Sequence, residues 1–211
     1  NKEKPTHIGV AFDPAGPTFR HEAFEAYKAQ REETPEGIRT AVPYIKRILE
    51  AYNIPILEVS GFEADDVIGT LAKQAETIDG LETFMMTPDK DYGQLVSENV
   101  RMFRPKYGDK EFEVMGVEEV KAKFNIESPL QVIDMLGLMG DSSDNIPGCP
   151  GVGEKTAQKL IAQFGSIENL LSHSNELKGA LKTKIETGKE SAYLSKKLGT
   201  IVTEEPIDTG D

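Results

Sequence analysis

The sequence predicts an α/β fold: a mostly parallel central sheet flanked by helices, followed by a C-terminal helical lobe. Three observations predict it. Short apolar runs alternate with apolar residues at helical spacing through residue 128, the usual pattern of a parallel sheet. After residue 128 the strand signals fade, and amphipathic segments separated by Gly, Ser and Pro follow. The 211 residues, 38% of them hydrophobic, suffice for one sizeable core with a smaller lobe attached.

Each predicted element follows from its own apolar pattern. Apolar runs predict three strands, at residues 8–12, 54–59 and 81–87, and the first and third of them end at Asp-Pro or Pro-Asp turns. Helical spacing is present in the first half at residues 38–49 and 67–75, and in the second half at 129–140, 154–164, 166–172, 176–187 and 190–198. We therefore expect two units, residues 1–128 and 129–211.

Composition and charge exclude several classes of protein. No apolar run approaches the roughly 18 residues that span a bilayer, so we expect a cytoplasmic protein without a membrane partner. The single cysteine, Cys149, excludes an internal disulfide framework and cannot build a thiolate zinc site alone. The formal net charge of −12 argues against non-specific coating of nucleic acid. Residues 146–199 nevertheless carry eight lysines against five glutamates, so acidic and basic residues are segregated.

Carboxylates follow each of the three predicted strands, at the edge where ligands bind in open α/β sheets. A fourth acidic cluster follows the helix predicted at 129–140. Hard oxygen ligands without cysteine or histidine select magnesium or manganese, and two such ions can hold a phosphodiester for in-line hydrolysis. The pattern indicates a phosphoryl-transfer site. Its eight candidate metal-binding residues are Asp13, Glu63, Asp65, Asp66, Asp89, Asp91, Asp141 and Asp144.

Each acid taken singly has a plainer explanation. The acids after the second strand could cap a helix, and those after the first and third strands could form turns. An EF-hand that begins at Asp141 is excluded, because its twelfth position is Val152 rather than glutamate. The metal hypothesis therefore depends on the joint placement of the acids.

A glycine-rich turn at residues 145–153 directly precedes an amphipathic helix. Glycine lets backbone N–H groups approach a phosphate, and a helix N-terminus favours an anion. A Walker loop does not fit, since position 149 is cysteine where that loop requires glycine. We interpret residues 145–164 as a helix–hairpin–helix for duplex DNA, with an ordinary helix-to-helix turn as the alternative. The candidate DNA-binding residues are Gly148, Gly151, Gly153, Lys155 and Thr156.

Residues 18–31 interleave aromatic and basic side chains. This composition suits stacking on bases and clamping of phosphates, and Arg20 and Tyr27 are its candidate DNA contacts. Two interpretations stay open. The segment could be a mobile, exposed arm, or it could be an amphipathic helix whose aromatic side chains pack inward.

These segments together closely resemble the flap endonuclease family, in particular the 5′-nuclease domain of bacterial DNA polymerase I. The resemblance depends on motifs that occur in order along the chain: Phe12-Asp13, residues 18–22 and 27–31, Glu63-Ala64-Asp65-Asp66, residues 87–91 and residues 140–148. It implies a metal-dependent, structure-specific 5′-3′ exonuclease or flap endonuclease that acts in replication and repair. It also implies two magnesium ions held directly or through water by the eight acids, with manganese as a substitute, and often a potassium ion at a helix–three-turn–helix motif.

The resemblance further assigns Lys28 and Arg31 to the scissile phosphate, within a basic arch at about residues 14–39. The implied partners are branched, nicked or 5′-flap DNA and a covalently attached polymerase domain. Members of this family begin with a strand that carries a metal-binding aspartate, followed by a helix, and neither precedes Asn1. For a chain lacking them we expect weak metal binding and little turnover. A catalytically silent DNA-binding module that uses the hairpin alone is the alternative; a magnesium-dependent phosphatase or ribonuclease would not need the hairpin.

Overall fold

The computed structural model describes residues 4–105, 112–204 and 207. Its strands form two sheets. In the first, β1 (Val10–Ala11) pairs in parallel with β2 (Ile56–Leu57). In the second, β3 (Thr83–Met86) pairs in parallel with β4 (Val100–Pro105), and β4 pairs in antiparallel fashion with β5 (Phe112–Met115).

The three predicted strands are therefore present, each shorter than its apolar run. The α/β class is confirmed, but the single, mostly parallel sheet is replaced in the described residues by two sheets, one of which contains an antiparallel pair. Strands β4 and β5 were not predicted. In β4 the buried Val100 and Met102 alternate with Arg101 and Phe103, and this alternation is the strand signal that the prediction missed.

Helices lie between the strands of the first half and form the regular elements described after β5. They are α1 (Phe19–Ala23), α2 (Glu36–Ala51), α3 (Ala64–Glu76), α4 (Val117–Phe124), α5 (Gln131–Met139), α6 (Glu154–Phe164), α7 (Ile167–Ser172), α8 (Gly179–Thr187) and α9 (Lys189–Gly199), with 3₁₀ helices at Lys90–Leu95 and Ser174–Glu176. The five helices predicted after residue 128 are confirmed to within three residues at each end. Helix α4 was not predicted.

The largest buried cluster lies across the predicted boundary at residue 128. It joins Val100 and Met102 of β4 to Met135 and Leu136 of α5, and it continues to Ile167 of α7. Helix α5 packs against α6, against α9 and against the 3₁₀ helix Lys90–Leu95. One continuous apolar core includes residues from both predicted units. The division at residue 128 stays a prediction.

Two apolar surfaces are exposed in the described part of the chain. Helix α2 has no buried residue, and Tyr44 and Ile48 on it are exposed. On the second sheet, Phe84, Met86 and Phe112 are exposed on the face opposite the core. None of the helices within the described ranges is long and apolar enough to cross a membrane.

Candidate active site

The acids of the first and second clusters meet at the N-terminus of α3. Glu63 is the N-cap residue of this helix, and its backbone N–H donates to Asp66 Oδ2 at 3.0 Å. Asp13, which follows β1, accepts a hydrogen bond on Oδ1 from the backbone N–H of Ala64 at 2.8 Å. Asp65 lies in the same first turn. Unpaired backbone N–H groups and the helix macrodipole favour carboxylates here, so the fold concentrates the acids at this point.

The third and fourth clusters are joined by Lys90. The 3₁₀ helix Lys90–Leu95 begins after Asp89, whose Oδ1 accepts from the backbone N–H of Asp91 at 2.9 Å. Lys90 Nζ donates to Asp141 Oδ2 at 2.7 Å. Asp141 in turn forms a β-bridge with Ile146 at the start of the glycine-rich connection. The loop after β3 and the loop after α5 therefore contact each other.

The acids lie close enough to disturb each other's ionisation. Burial raises the pKa of Asp91 to about 7, and repulsion from Asp89, Asp141 and Asp144 adds to this effect. Burial likewise raises the pKa of Asp65 to about 6, with Asp89 contributing repulsion. The structure thus brings acids from all three predicted strands and from the fourth cluster into one electrostatic neighbourhood.

Two cations of the predicted arch lie against these acids. Lys28 Nζ donates to Glu63 Oε1 at 2.7 Å and lies 3.6 Å from Asp144 Oδ2. Arg31 forms an ion pair with Asp144 and is half exposed, at 52% of its side-chain surface. The φ of Lys28 is +54°, in the left-handed region that non-glycine residues rarely occupy. Both residues assigned to the scissile phosphate therefore lie beside the acidic site.

Arg20 and Asp66 form a buried pair behind the site. Arg20 is 2% exposed, and its guanidinium donates to both oxygens of Asp66, at 2.7 and 2.8 Å. It also donates to the carbonyl oxygens of Leu198 and Thr200, both at 2.8 Å. Burial opposes the charge of Arg20, but the hydrogen bonds and charge of Asp66 raise the pKa of the guanidinium overall.

This placement corrects two predictions. Arg20 is not available to contact DNA, because its donors are used inside the protein. Asp66 is 0% exposed and both of its oxygens accept hydrogen bonds from Arg20, so it serves as a buried partner rather than a metal ligand.

The prediction that Tyr27 contacts DNA is also corrected. It is buried, and its hydroxyl donates to Glu63 Oε2 at 3.0 Å. Nearby, Asn145 Nδ2 donates to the carbonyl oxygen of Ala26 at 2.6 Å, which ties this segment to the loop of the fourth cluster. The aromatic side chains Phe19, Phe24 and Tyr27 are half-buried or buried, which agrees with part of the second interpretation. The helix itself covers only Phe19–Ala23, and Arg31 is exposed, so the segment is not one amphipathic helix. Tyr27 contacts Glu63 inside the protein, where its ring is not available to stack on a base.

The donor chemistry of the site fits a hard divalent cation. Every candidate ligand is a carboxylate, and Asp91 Oδ1 is buried without a hydrogen-bond partner, a position that an ion would satisfy. In the described ranges no group of three or more Asp, Glu, His or Cys side chains is close enough, as placed, to hold an ion. Three of the acids form ion pairs with basic side chains instead: Glu63 with Lys28, Asp144 with Arg31, and Asp141 with Lys90.

The glycine-rich connection between α5 and α6 is shaped by close backbone approach. The φ of Gly140 is +71° and that of Gly148 is +66°, and a Cβ on Gly148 would lie 2.4 Å from the backbone nitrogen of Gly140. The N–H of Gly148 donates to Ser195 Oγ at 2.8 Å. Gly148 is therefore required for packing, which corrects its prediction as a phosphate contact.

The other hairpin residues lie near the surface at the N-terminus of α6. Gly151, Gly153 and Lys155 are exposed, and Thr156 is half-buried. Gly153 is the N-cap residue of α6, and the Gly151 carbonyl accepts a hydrogen bond from Lys184 Nζ at 3.2 Å. These backbone groups and the neighbouring lysine can approach an anion together.

The sequence analysis did not identify three residues that contact the acids or support the segment next to them. Lys90 donates to Asp141, and Tyr92 donates to Asp65 Oδ1 at 2.6 Å. Gln94 forms hydrogen bonds with Gly199, the last residue of α9, and with Ile201 just after it. All three lie on the 3₁₀ helix that begins directly after Asp89 and contains Asp91. Their position directly beside a predicted acidic cluster was the available signal.

Comparisons with known proteins match both halves of the chain. Residues 1–125 match the family model of the 5′-3′ exonuclease N-terminal resolvase-like domain, and residues 127–210 match that of the 5′-3′ exonuclease C-terminal SAM fold. DNA polymerase I of Bacillus subtilis is 49% identical over 98% of this chain and 23% of its own length. The thermostable DNA polymerase I of Thermus thermophilus is 42% identical over 98% of this chain and 24% of its own length. The chain thus spans about a quarter of these relatives.

The fold is similar to that of solved phage nucleases. T5 5′-exonuclease with bound divalent zinc ions superposes with a TM-score of 0.78 at 22% identity, covering 94% of this chain and 75% of that one. A variant of the bacteriophage T5 flap endonuclease, in a complex with DNA and metal ions, gives a TM-score of 0.77 at 22% identity, covering 93% of this chain and 75% of that one.

Proposed function

The chain belongs to the 5′-3′ exonuclease family, and from this premise we propose that it is a metal-dependent, structure-specific 5′-3′ exonuclease and flap endonuclease acting on DNA phosphodiesters. The observation that carries the proposal is the meeting of four acidic clusters around the N-terminus of α3, where Asp91 Oδ1 is buried without a partner. Hydrolysis would leave a 5′ phosphate and a 3′ hydroxyl, as the family resemblance implies.

Seven acids would hold the divalent ions. Magnesium, with manganese as a substitute, would supply a bound water of lowered pKa and neutralise charge on the leaving oxygen. Asp66 stays behind this group as the partner of Arg20. The proposed ligands, acting directly or through water, are Asp13, Glu63, Asp65, Asp89, Asp91, Asp141 and Asp144.

Lys28 and Arg31 are proposed to bind the scissile phosphate. Both now neutralise acids of the site, Lys28 at Glu63 and Arg31 at Asp144. A phosphodiester brings its own negative charge to the same place, so these cations can transfer their hydrogen bonds from carboxylate to phosphate. Charge on the phosphate that increases during the reaction would strengthen those bonds.

The hairpin is proposed to grip duplex DNA through its backbone. Gly151, Gly153, Lys155 and Thr156 would bind phosphates at the N-terminus of α6 without reading sequence, as a helix–three-turn–helix motif does. A potassium ion near the Gly151 carbonyl belongs to the same proposal. A phage flap endonuclease of similar fold is known in complex with DNA and metal ions, which supports DNA as the ligand of this chain.

The wider role is also a proposal. The relatives named DNA polymerase I are about four times as long as this chain, which supports a covalently attached polymerase domain and work in replication and repair on nicked, branched or 5′-flap DNA. A cytoplasmic location belongs to the same proposal.

The test is cleavage of a 5′-labelled flap duplex with the protein in excess, so that slow single turnovers are detected. We expect magnesium-dependent release of the flap, no release in chelator, and loss of at least about 100-fold in rate for Asp91→Asn. Asp79→Asn, which removes an exposed acid after the end of α3, is the matched control and should cleave normally. Flap binding with no cleavage in magnesium would instead favour a catalytically silent DNA-binding module.

A further inference from the structure

Tyr92 connects the loop after β3 to the acidic end of α3. Its ring is 3% exposed, and its hydroxyl donates to Asp65 Oδ1 at 2.6 Å. Hydrogen bonds from a hydroxyl to an ionised carboxylate are short and about twice as strong as neutral ones. A bond of this length restricts rotation of the Asp65 carboxylate about its own axis.

The ring that carries this hydroxyl is itself firmly held. Tyr92 belongs to the main apolar cluster, together with Leu95 on the same 3₁₀ helix. Two residues further along, Gln94 accepts from the backbone N–H of Ile201 at 2.8 Å and donates to the Gly199 carbonyl at 2.9 Å. Before Tyr92, Lys90 Nζ donates to Asp141 Oδ2 at 2.7 Å, so the 3₁₀ helix is anchored on both sides of Tyr92 and the hydroxyl has little freedom to follow a moving partner.

A plainer explanation is that Asp65 simply satisfies a buried phenol, which usually finds a hydrogen-bond partner. The two explanations differ in what the bond affects. If the bond only satisfies the phenol, its loss changes stability. If the bond orients the acid, its loss changes whatever Asp65 binds.

We propose that Tyr92 is a positioning residue, whose hydroxyl holds the Asp65 carboxylate in the orientation that binds a divalent ion. This inference rests on the proposed metal-dependent function and adds to it a residue that is not itself a ligand. Groups that orient metal ligands typically change metal affinity by about 10- to 100-fold when removed.

The experiment measures Mn²⁺ affinity directly, from the free-ion electron paramagnetic resonance signal, without DNA or cleavage. The variants are Tyr92→Phe, Asp65→Asn and the double variant. Tyr193→Phe is the matched control, because its ring packs against the same core cluster from α9. We expect Tyr92→Phe to bind Mn²⁺ about 10-fold more weakly than the parent chain, and Tyr193→Phe to bind normally.

The double variant separates orientation from general damage. If Tyr92 acts through Asp65, Tyr92→Phe causes no further loss of Mn²⁺ affinity in the Asp65→Asn background. Parent-like affinity in Tyr92→Phe would overturn the inference, as would an equal loss in both backgrounds. A parent chain that binds no Mn²⁺ would overturn the proposed function as well, so the two failures are distinguishable.

Discussion

We predict that Arg20→Met lowers the unfolding free energy of this chain by about 3 to 5 kcal/mol. The side chain makes four hydrogen bonds, two to Asp66 and one each to the carbonyl oxygens of Leu198 and Thr200. Methionine keeps most of the apolar stem but leaves the fully buried Asp66 carboxylate without its cation. Because domains are stable by only about 5 to 15 kcal/mol, this is a large fraction of the total.

The assay is urea unfolding followed by circular dichroism, in chelator so that metal binding cannot contribute to stability. Arg20→Lys keeps a positive charge but lacks the planar fork, so we expect an intermediate loss of about 1 to 2 kcal/mol. Arg31→Met is the matched control. Its guanidinium is 52% exposed in its ion pair with Asp144, so its loss should cost less than about 1 kcal/mol.

The reasoning would be refuted if Arg20→Met and Arg31→Met lost the same small amount of stability. That result would mean that the Arg20 guanidinium is solvated in solution, and its original assignment as a DNA contact would be restored. Weaker flap binding by Arg20→Met at unchanged stability would lead to the same conclusion.

Three further predictions concern pH, the glycine connection and the hairpin. The raised pKa of Asp91 contributes stability that is present below its ordinary value near 4 and lost as pH rises through about 7, so the metal-free chain should unfold more easily in urea at about pH 8 than at about pH 5.5. Gly148→Ala should lower the unfolding free energy by about 2 kcal/mol or more, because its Cβ would lie 2.4 Å from the Gly140 nitrogen, and thermal unfolding would measure this. Lys155→Ala should weaken duplex binding and reduce the slope of log affinity against log salt by about 1, as measured by fluorescence anisotropy.

Each of these predictions has its own control. Asp91→Asn should reduce the difference in stability between the two pH values, and an unchanged difference would contradict the assignment to Asp91. Gly153→Ala should cost little, since nothing lies within 4 Å of its Cβ position; equal losses at Gly148 and Gly153 would contradict the steric argument. Lys121 lies on α4, outside the lysine-rich residues 146–199. Lys121→Ala should therefore leave the slope of log affinity against log salt unchanged.

The helices of the second half could be predicted because their burial follows their local pattern. Leu160 and Ile161 in α6, and Ile167 and Leu170 in α7, are apolar at helical spacing and are also buried. Strand β5 could not be predicted in this way. It has four residues, and Phe112 on it is exposed, so it lacks the apolar run or clean alternation on which the prediction relies.

The acids of the site could be predicted from the sequence, but the basic residues that pair with them could not. The four acidic clusters are visible in the sequence because each follows a predicted element. The partner of a buried charge is not visible, since Arg20 and Asp66 are 46 residues apart and no periodicity connects them. For the same reason Asp66 could not be separated from Asp65, although one lies behind the site and the other within it.

The Arg20 contacts also bear on how the protein is made. The guanidinium bonds carbonyl groups that are 178 and 180 residues further along the chain. Closing so long a loop costs conformational entropy before the contacts form, and a ribosome releases the later residues last. The Arg20 support behind the acids therefore forms only after Leu198 and Thr200 have been synthesised. A growing chain therefore has all of these carboxylates before it can complete the support behind them.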